Sequence, residues 1–181
     1  MTKYLLDSNV FMTAANGAYG MDFCPAFWEW IERQFLADQV FSIRAVLDEI
    51  KADPGAGPND DTLHKWAWGK GRRLFLAHDQ LMVNNFPAVS SWCGSQGYTP
   101  AALSQFFSIA DYHLVAYSLA HGITLVTHEV KGGAPRQVKI PDVCKGLQVS
   151  CISPYDMLRR EGARFVLQLK PSDLRDSAAH S

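Results

Sequence analysis

Tyr4, Leu5 and Leu6 form an unbroken apolar run, followed by Asp7, Ser8 and Asn9 and then by Val10, Phe11 and Met12. A short continuous run of this kind suits a strand buried on both faces, as in a parallel sheet. Gln39–Ile43 reads as a second strand, Ile123–Thr127 as the clearest one after the first, and Val149–Ile152 as the last, with Val138–Ile140 short and extended. Pro25 suits the first turn of a helix that carries Phe27, Trp28, Trp30, Ile31, Phe35 and Leu36 at helical spacing. Trp28 and Trp30 cannot share one face, so either both pack in the core or one lies at an interface or groove.

Arg44–Ala52 reads as a further helix. Another contains Leu63, Trp66, Leu74 and Phe75, weakened in its middle by Gly69 and Gly71, with Asp60 or Asp61 able to cap it. The pattern from Ala77 to Gly97 is helical but less regular, and Pro87 is expected to begin a short helix there. Ala101–Phe107 is a short helix, and Ser108-Ile109-Ala110-Asp111 has the spacing of a capping signature for a strong helix that Gly122 ends. Tyr155–Glu161 forms the last helix. Thr13–Met21, marked by Gly17 and Gly20, and the breaker-dense Asp53–Asp60 read as loops. Strands alternating with helices in this order predict an α/β fold, a parallel sheet covered on both faces. We expect one domain over residues 1–169 and a frayed tail over 170–181.

Composition narrows the classes. A hydrophobic share of 48% with 19% charged residues is that of a globular domain, and 181 residues suffice for one core. The net charge of −1 supplies no overall basic field for nucleic acid, so any such contact must use a local patch or a metal. Lys65, Lys70, Arg72 and Arg73, interleaved with Trp66 and Trp68, are such a patch: it could grip a phosphate backbone, or be an ordinary solvated helix face. Cys24, Cys93, Cys144 and Cys151 lack zinc-site spacing and read as reduced thiols of a cytoplasmic protein. No signal peptide or membrane span is expected.

The chemistry lies in the acids. Asp7 follows the first strand and Glu129 follows Ile123–Thr127, at carboxyl ends where open α/β sheets place their ligands. Glu49 shares a helix side with Val46 and Ile50, and an acid bordering an apolar face needs a partner or a metal. Asp111 stands in the first turn of its helix, where the helix dipole alone would favour it. Gathering such carboxylates costs electrostatic repulsion that a divalent cation removes, and hard oxygen ligands favour Mg²⁺ or Mn²⁺.

Leu5–Phe11, the glutamate of Val46-Leu47-Asp48-Glu49-Ile50, Ala110–Leu119 and Leu125–Glu129 resemble the successive motifs of the PIN domain family, over about residues 3 to 160. Asp22-Phe23-Cys24-Pro25 with Phe27-Trp28, and Lys139–Cys144, are similar to a less characterised PIN-like branch. The resemblance implies a Rossmann-like three-layer fold and a metal-dependent ribonuclease, with many relatives acting as toxins of bacterial toxin–antitoxin pairs. It implies Asp7 and Asp111 as metal ligands, Glu49 as a ligand directly or through water, and Glu129 as the fourth acid where the family more often has Asp. Ser8, Asn9 and Thr127 would orient the carboxylates. His128 is a solvent-facing loop residue in the simplest reading, with metal or phosphate binding as the alternative.

The expected activity is therefore endoribonucleolytic, with a Mg²⁺ or Mn²⁺ at Asp7, Glu49, Asp111 and Glu129, an RNA substrate, a cognate antitoxin protein and a homodimer as partners. A haloacid-dehalogenase-like phosphatase also begins with a strand and an Asp, but needs a second Asp where this chain has Asn9. A PIN-like module that binds RNA or protein without cutting is the non-enzymatic alternative.

Overall fold

The computed structural model describes residues 2–52 and 60–166, with the side chains of 52, 60, 61, 70 and 71 outside that description. The loop expected before Asp60, the caps at Asp60 and Asp61, and the tail from 170 therefore lie outside the described residues. Five strands form one sheet: β1 (Tyr4–Leu6), β2 (Val40–Ile43), β3 (Phe75–Leu76), β4 (Thr124–Val126) and β5 (Cys151–Ile152). Every ladder is parallel, and the order is β3-β2-β1-β4-β5. Successive side chains of a strand point to opposite faces, and every residue of β1, β2 and β4 is buried. Both faces of the sheet are thus covered, which makes this the α/β fold the alternation predicted.

The helices are α1 (Ser8–Asn16), α2 (Pro25–Leu36), α3 (Arg44–Ala52), α4 (Asp60–Trp68), α5 (Gln80–Gly94), α6 (Pro100–Ser108), α7 (Ala110–His121), α8 (Ile140–Gly146) and α9 (Pro154–Arg160). Among the described residues none is long and apolar enough to cross a membrane. Trp28 is buried, with Nε1 donating to the Tyr19 carbonyl at 2.8 Å, and Trp30 is half-buried against the same core. The four cysteines are free.

Four local expectations are corrected. The stretch after Asn9 is helical through Asn16, not a loop from Thr13, because Val10, Phe11, Ala14 and Ala15 bury one face of α1. The helix expected to run through Leu74 and Phe75 stops at Trp68; a 3-10 turn (Lys70–Leu74) follows, and Phe75–Leu76 pair with Ser42–Ile43. Pro87 lies inside α5 and does not begin a helix. Met82, Val89 and Cys93 keep one buried stripe across it, and the carbonyl its ring leaves unpaired belongs to solvent-exposed Val83. Ser108 does not cap α7: its hydroxyl turns back to the Gln105 carbonyl, and Ile109 holds the N-cap position with no side-chain cap of its own.

The chain leaves β1 toward β2 and β3 on one side and returns to β4 and β5 on the other. The order therefore reverses between β1 and β4. A crevice outside the strand ends at such a switch point is where open α/β sheets bind ligands.

Candidate active site

Asp7 follows β1 at this switch point and is 2% exposed. A carboxylate this deep needs hydrogen-bond donors. Thr127, the residue after β4, donates from Oγ1 to Asp7 Oδ2 at 2.8 Å, and Asn9 Nδ2 donates to the same oxygen. Ser8 Oγ donates to Oδ1 at 3.3 Å. Asn9 also donates to Thr127 Oγ1 at 3.0 Å, and its Oδ1 accepts from the His128 N–H at 3.0 Å. Parallel pairing of Leu6 with Val126 puts Asp7 and Thr127 next to each other, so the network follows from the register of β1 and β4.

Asp111 lies in the first turn of α7. Glu49, on α3, accepts the Ala110 N–H at Oε1 at 2.8 Å, so a carboxylate from another helix caps α7 beside Asp111. Glu129 has both oxygens engaged: Lys139 Nζ donates to Oε1 at 2.7 Å and the Ile140 N–H to Oε2 at 2.8 Å. Its own N–H donates to Thr127 Oγ1 at 3.0 Å.

The acids act on one another. Burial pushes the Asp111 carboxyl up to about 8, helped by repulsion from Asp7, Glu129 and Glu49, with Lys139 pulling the other way. Burial likewise raises Asp7 to about 6; the Thr127 hydrogen bond opposes this, and Glu49 and Glu129 add to it. In donor chemistry, oxygen-only carboxylates raising each other's proton affinity suit a hard divalent cation. The arrangement is open, however. Among the described residues no group of three or more His, Cys, Asp or Glu side chains is gathered closely enough to hold a metal ion as it stands.

The match to known families is nearly as long as the described chain. A family model described as a domain of unknown function, DUF4411, matches residues 4–165. The chain belongs to the DUF4411 family. No curated protein matches it in sequence. Among solved structures it is similar to FitAB bound to an IR36 DNA fragment, at 15% identity and a TM-score of 0.52, covering 84% of this chain and 95% of that one. It is equally similar to FitAcB from Neisseria gonorrhoeae, at 16% identity and a TM-score of 0.52, covering 84% and 98%. At these identities the likeness is one of fold, the PIN-like α/β fold.

Within this DUF4411 domain, then, Asp7, Ser8, Asn9 and Thr127 are in direct contact, Glu49 sits at the helix start that carries Asp111, and Glu129 joins them through Thr127. The basic stretch is separate in kind. Trp66 turns inward, donating to Glu32 Oε1 at 2.7 Å and packing against Phe11 and Trp28. Trp68 is 49% exposed, with Lys51 Nζ 4.4 Å and the Arg72 guanidinium 5.1 Å from its ring centre. Lys65, Arg72 and Arg73 are exposed, and the Lys70 side chain lies outside the described residues. His128 is half-buried edge-on to Tyr155, with ring centres 5.6 Å apart, and burial lowers its pKa. Sequence reasoning missed Lys139 as a site residue. Lys139 opens the Lys139–Cys144 motif, but nothing local links it to an acid ten positions away.

Proposed function

We propose that this DUF4411 protein is a metal-dependent endoribonuclease whose Mg²⁺ or Mn²⁺ is held by Asp7, Asp111 and Glu49, the last directly or through water. The observation that carries it is the buried Asp7 carboxylate at the β1–β4 switch point, held by three side-chain donors, acted on by Glu49 and Glu129 and itself acting on Asp111. The ion, when bound, supplies Lewis acidity toward water and the RNA phosphodiester. Thr127, Asn9 and Ser8 hold the Asp7 oxygens in one orientation, so that no reorganisation is needed when charge develops nearby. Burial and the neighbouring acids hold the Asp111 carboxyl up to about 8, so a cation held there would be bound in exchange for a proton.

The PIN resemblance, together with the fold shared with FitAB, supports a place in a toxin–antitoxin pair, with a cognate antitoxin protein and a second copy of the chain as partners. Lys65, Lys70, Arg72 and Arg73 are the proposed RNA contacts. The rival reading is a PIN-like module that binds RNA or protein without cutting, and the open spacing of the acids favours it. Incubating the purified protein with a mixed RNA pool and Mn²⁺ separates the two. Cleavage that is lost with chelator and in Asp7→Asn establishes the nuclease. A folded Asp7→Asn variant with full activity overturns the assignment.

A further inference from the structure

Glu129 was expected as the fourth metal ligand, yet each of its oxygens already has a donor. Lys139 Nζ lies 2.7 Å from one, and the Ile140 N–H lies 2.8 Å from the other. The ion pair is not a loose surface contact, since its side chains are 23% and 17% exposed. The loop backbone passes close to the Lys139 stem: a Cβ added at Gly132 would come within 2.9 Å of Lys139 Cγ, so a larger residue there would displace one or the other. The Gly132 N–H in turn donates to Asp142 Oδ2 at 2.9 Å, closing the loop over the lysine.

We infer that Lys139 is a built-in cation of the carboxylate site, neutralising Glu129 and thereby removing it from the ligands available to a metal. The inference rests on the metal-site reading above and gives the reason Glu129, the fourth acid of the sequence motif, is not among its ligands. Of the four acids, Asp7, Asp111 and Glu49 remain for one divalent ion, and the Lys139 ammonium stands where a further positive charge would otherwise be needed. Lysine suits the role because its ammonium is a compact point charge at the end of a stem that the loop can hold. The backbone at position 129 still serves the site whatever its side chain does. Its N–H donates to Thr127 Oγ1, and that hydroxyl donates to Asp7.

Calorimetric Mn²⁺ titration of the full chain, in the wild type, Lys139→Met, Glu129→Gln and the double variant, tests this without relying on activity. The wild type should bind one Mn²⁺ per chain. Glu129→Gln, which keeps the side-chain shape, should leave the affinity within about twofold. Lys139→Met should tighten binding by about tenfold or add a second ion, because it frees the Glu129 carboxylate, and the double variant should return to the wild-type isotherm. A lysine that merely clamps the loop would lower the melting temperature and leave the isotherm unchanged, which overturns the inference. A loss of about tenfold or more in Glu129→Gln overturns it too, and does so even if Lys139→Met fails to fold. A wild type that takes up Mn²⁺ while either of these results holds leaves the metal-site reading standing. A wild type that takes up none overturns both.

Discussion

Thr127 Oγ1 and Asp7 Oδ2 are 2.8 Å apart, and this hydrogen bond joins the carboxyl ends of β4 and β1. The hydroxyl is fully used, since it also accepts from Asn9 Nδ2 and from the Glu129 N–H, each at 3.0 Å. Thr127→Val keeps the shape but removes one donor from a buried carboxylate and one acceptor from two N–H groups. The expected loss is about 1–3 kcal/mol, with Thr127→Ser largely neutral. Thermal unfolding of the two variants checks this. Because the lost bond favoured the ionised form, carboxyl-detected titration should place Asp7 higher still in Thr127→Val.

Stability of the metal-free protein should fall as pH rises. Asp7 and Asp111 have folded-state pKa values of about 6 and about 8, against an ordinary 3.8. The native state therefore binds protons that the unfolded chain has already released. The stabilising contribution of these protons is fully present below about pH 4 and is lost through about pH 6 and about pH 8. Asp7 alone accounts for at most about 3 kcal/mol of this. Asp111→Asn should raise the melting temperature near pH 8.5, do little near pH 5, and flatten the profile between them. A profile that rises with pH in the wild type and is unchanged in the variant would contradict the electrostatics of the site.

Divalent cations should reverse that trend. Binding must displace the Asp111 proton, so Mn²⁺ affinity should increase with pH up to about pH 8 and proton release should accompany it. Calorimetry in buffers of different ionisation enthalpy measures the protons released. Asp111→Asn should abolish most of the release.

Glu49 has a structural duty beside any chemical one. Its Oε1 caps α7 at the Ala110 N–H. Glu49→Ala should cost about 1 kcal/mol by leaving that donor unpaired, whereas Glu49→Gln keeps an acceptor oxygen and most of the stability. Comparing unfolding free energies with Mn²⁺ affinities in the two variants separates the cap from the ligand.

Trp68 is exposed and flanked by Lys51 and Arg72, and on the proposed RNA reading it would offer bases a stacking face with charge at its rim. Replacing Arg72 and Arg73 by Ala should weaken RNA binding about equally across sequences and make its salt dependence shallower by about one to two phosphate contacts. Filter binding over a range of salt concentrations, with Asp7→Asn to prevent cleavage, gives both quantities.

The apolar run Tyr4–Leu6 before Asp7, and the run ending at Val126 before Thr127, were enough to predict a parallel sheet with acids at its carboxyl ends. A strand buried on both faces leaves that pattern whatever packs against it. Helix ends were harder to read. Ser108 carries a capping signature, but the chain uses the Glu49 carboxylate from another helix, a partner no local window contains. Phe75 reads as helix because a two-residue strand has no period of its own, and only pairing of Phe75–Leu76 with Ser42–Ile43 makes them a strand. Among the acids, the sequence determined which residues stand at strand ends and helix starts. It could not determine that Glu129 would be met by Lys139. That pairing depends on a loop folded over the lysine stem at Gly132, and the energy of a charge pair depends on distance in space and not on separation along the chain.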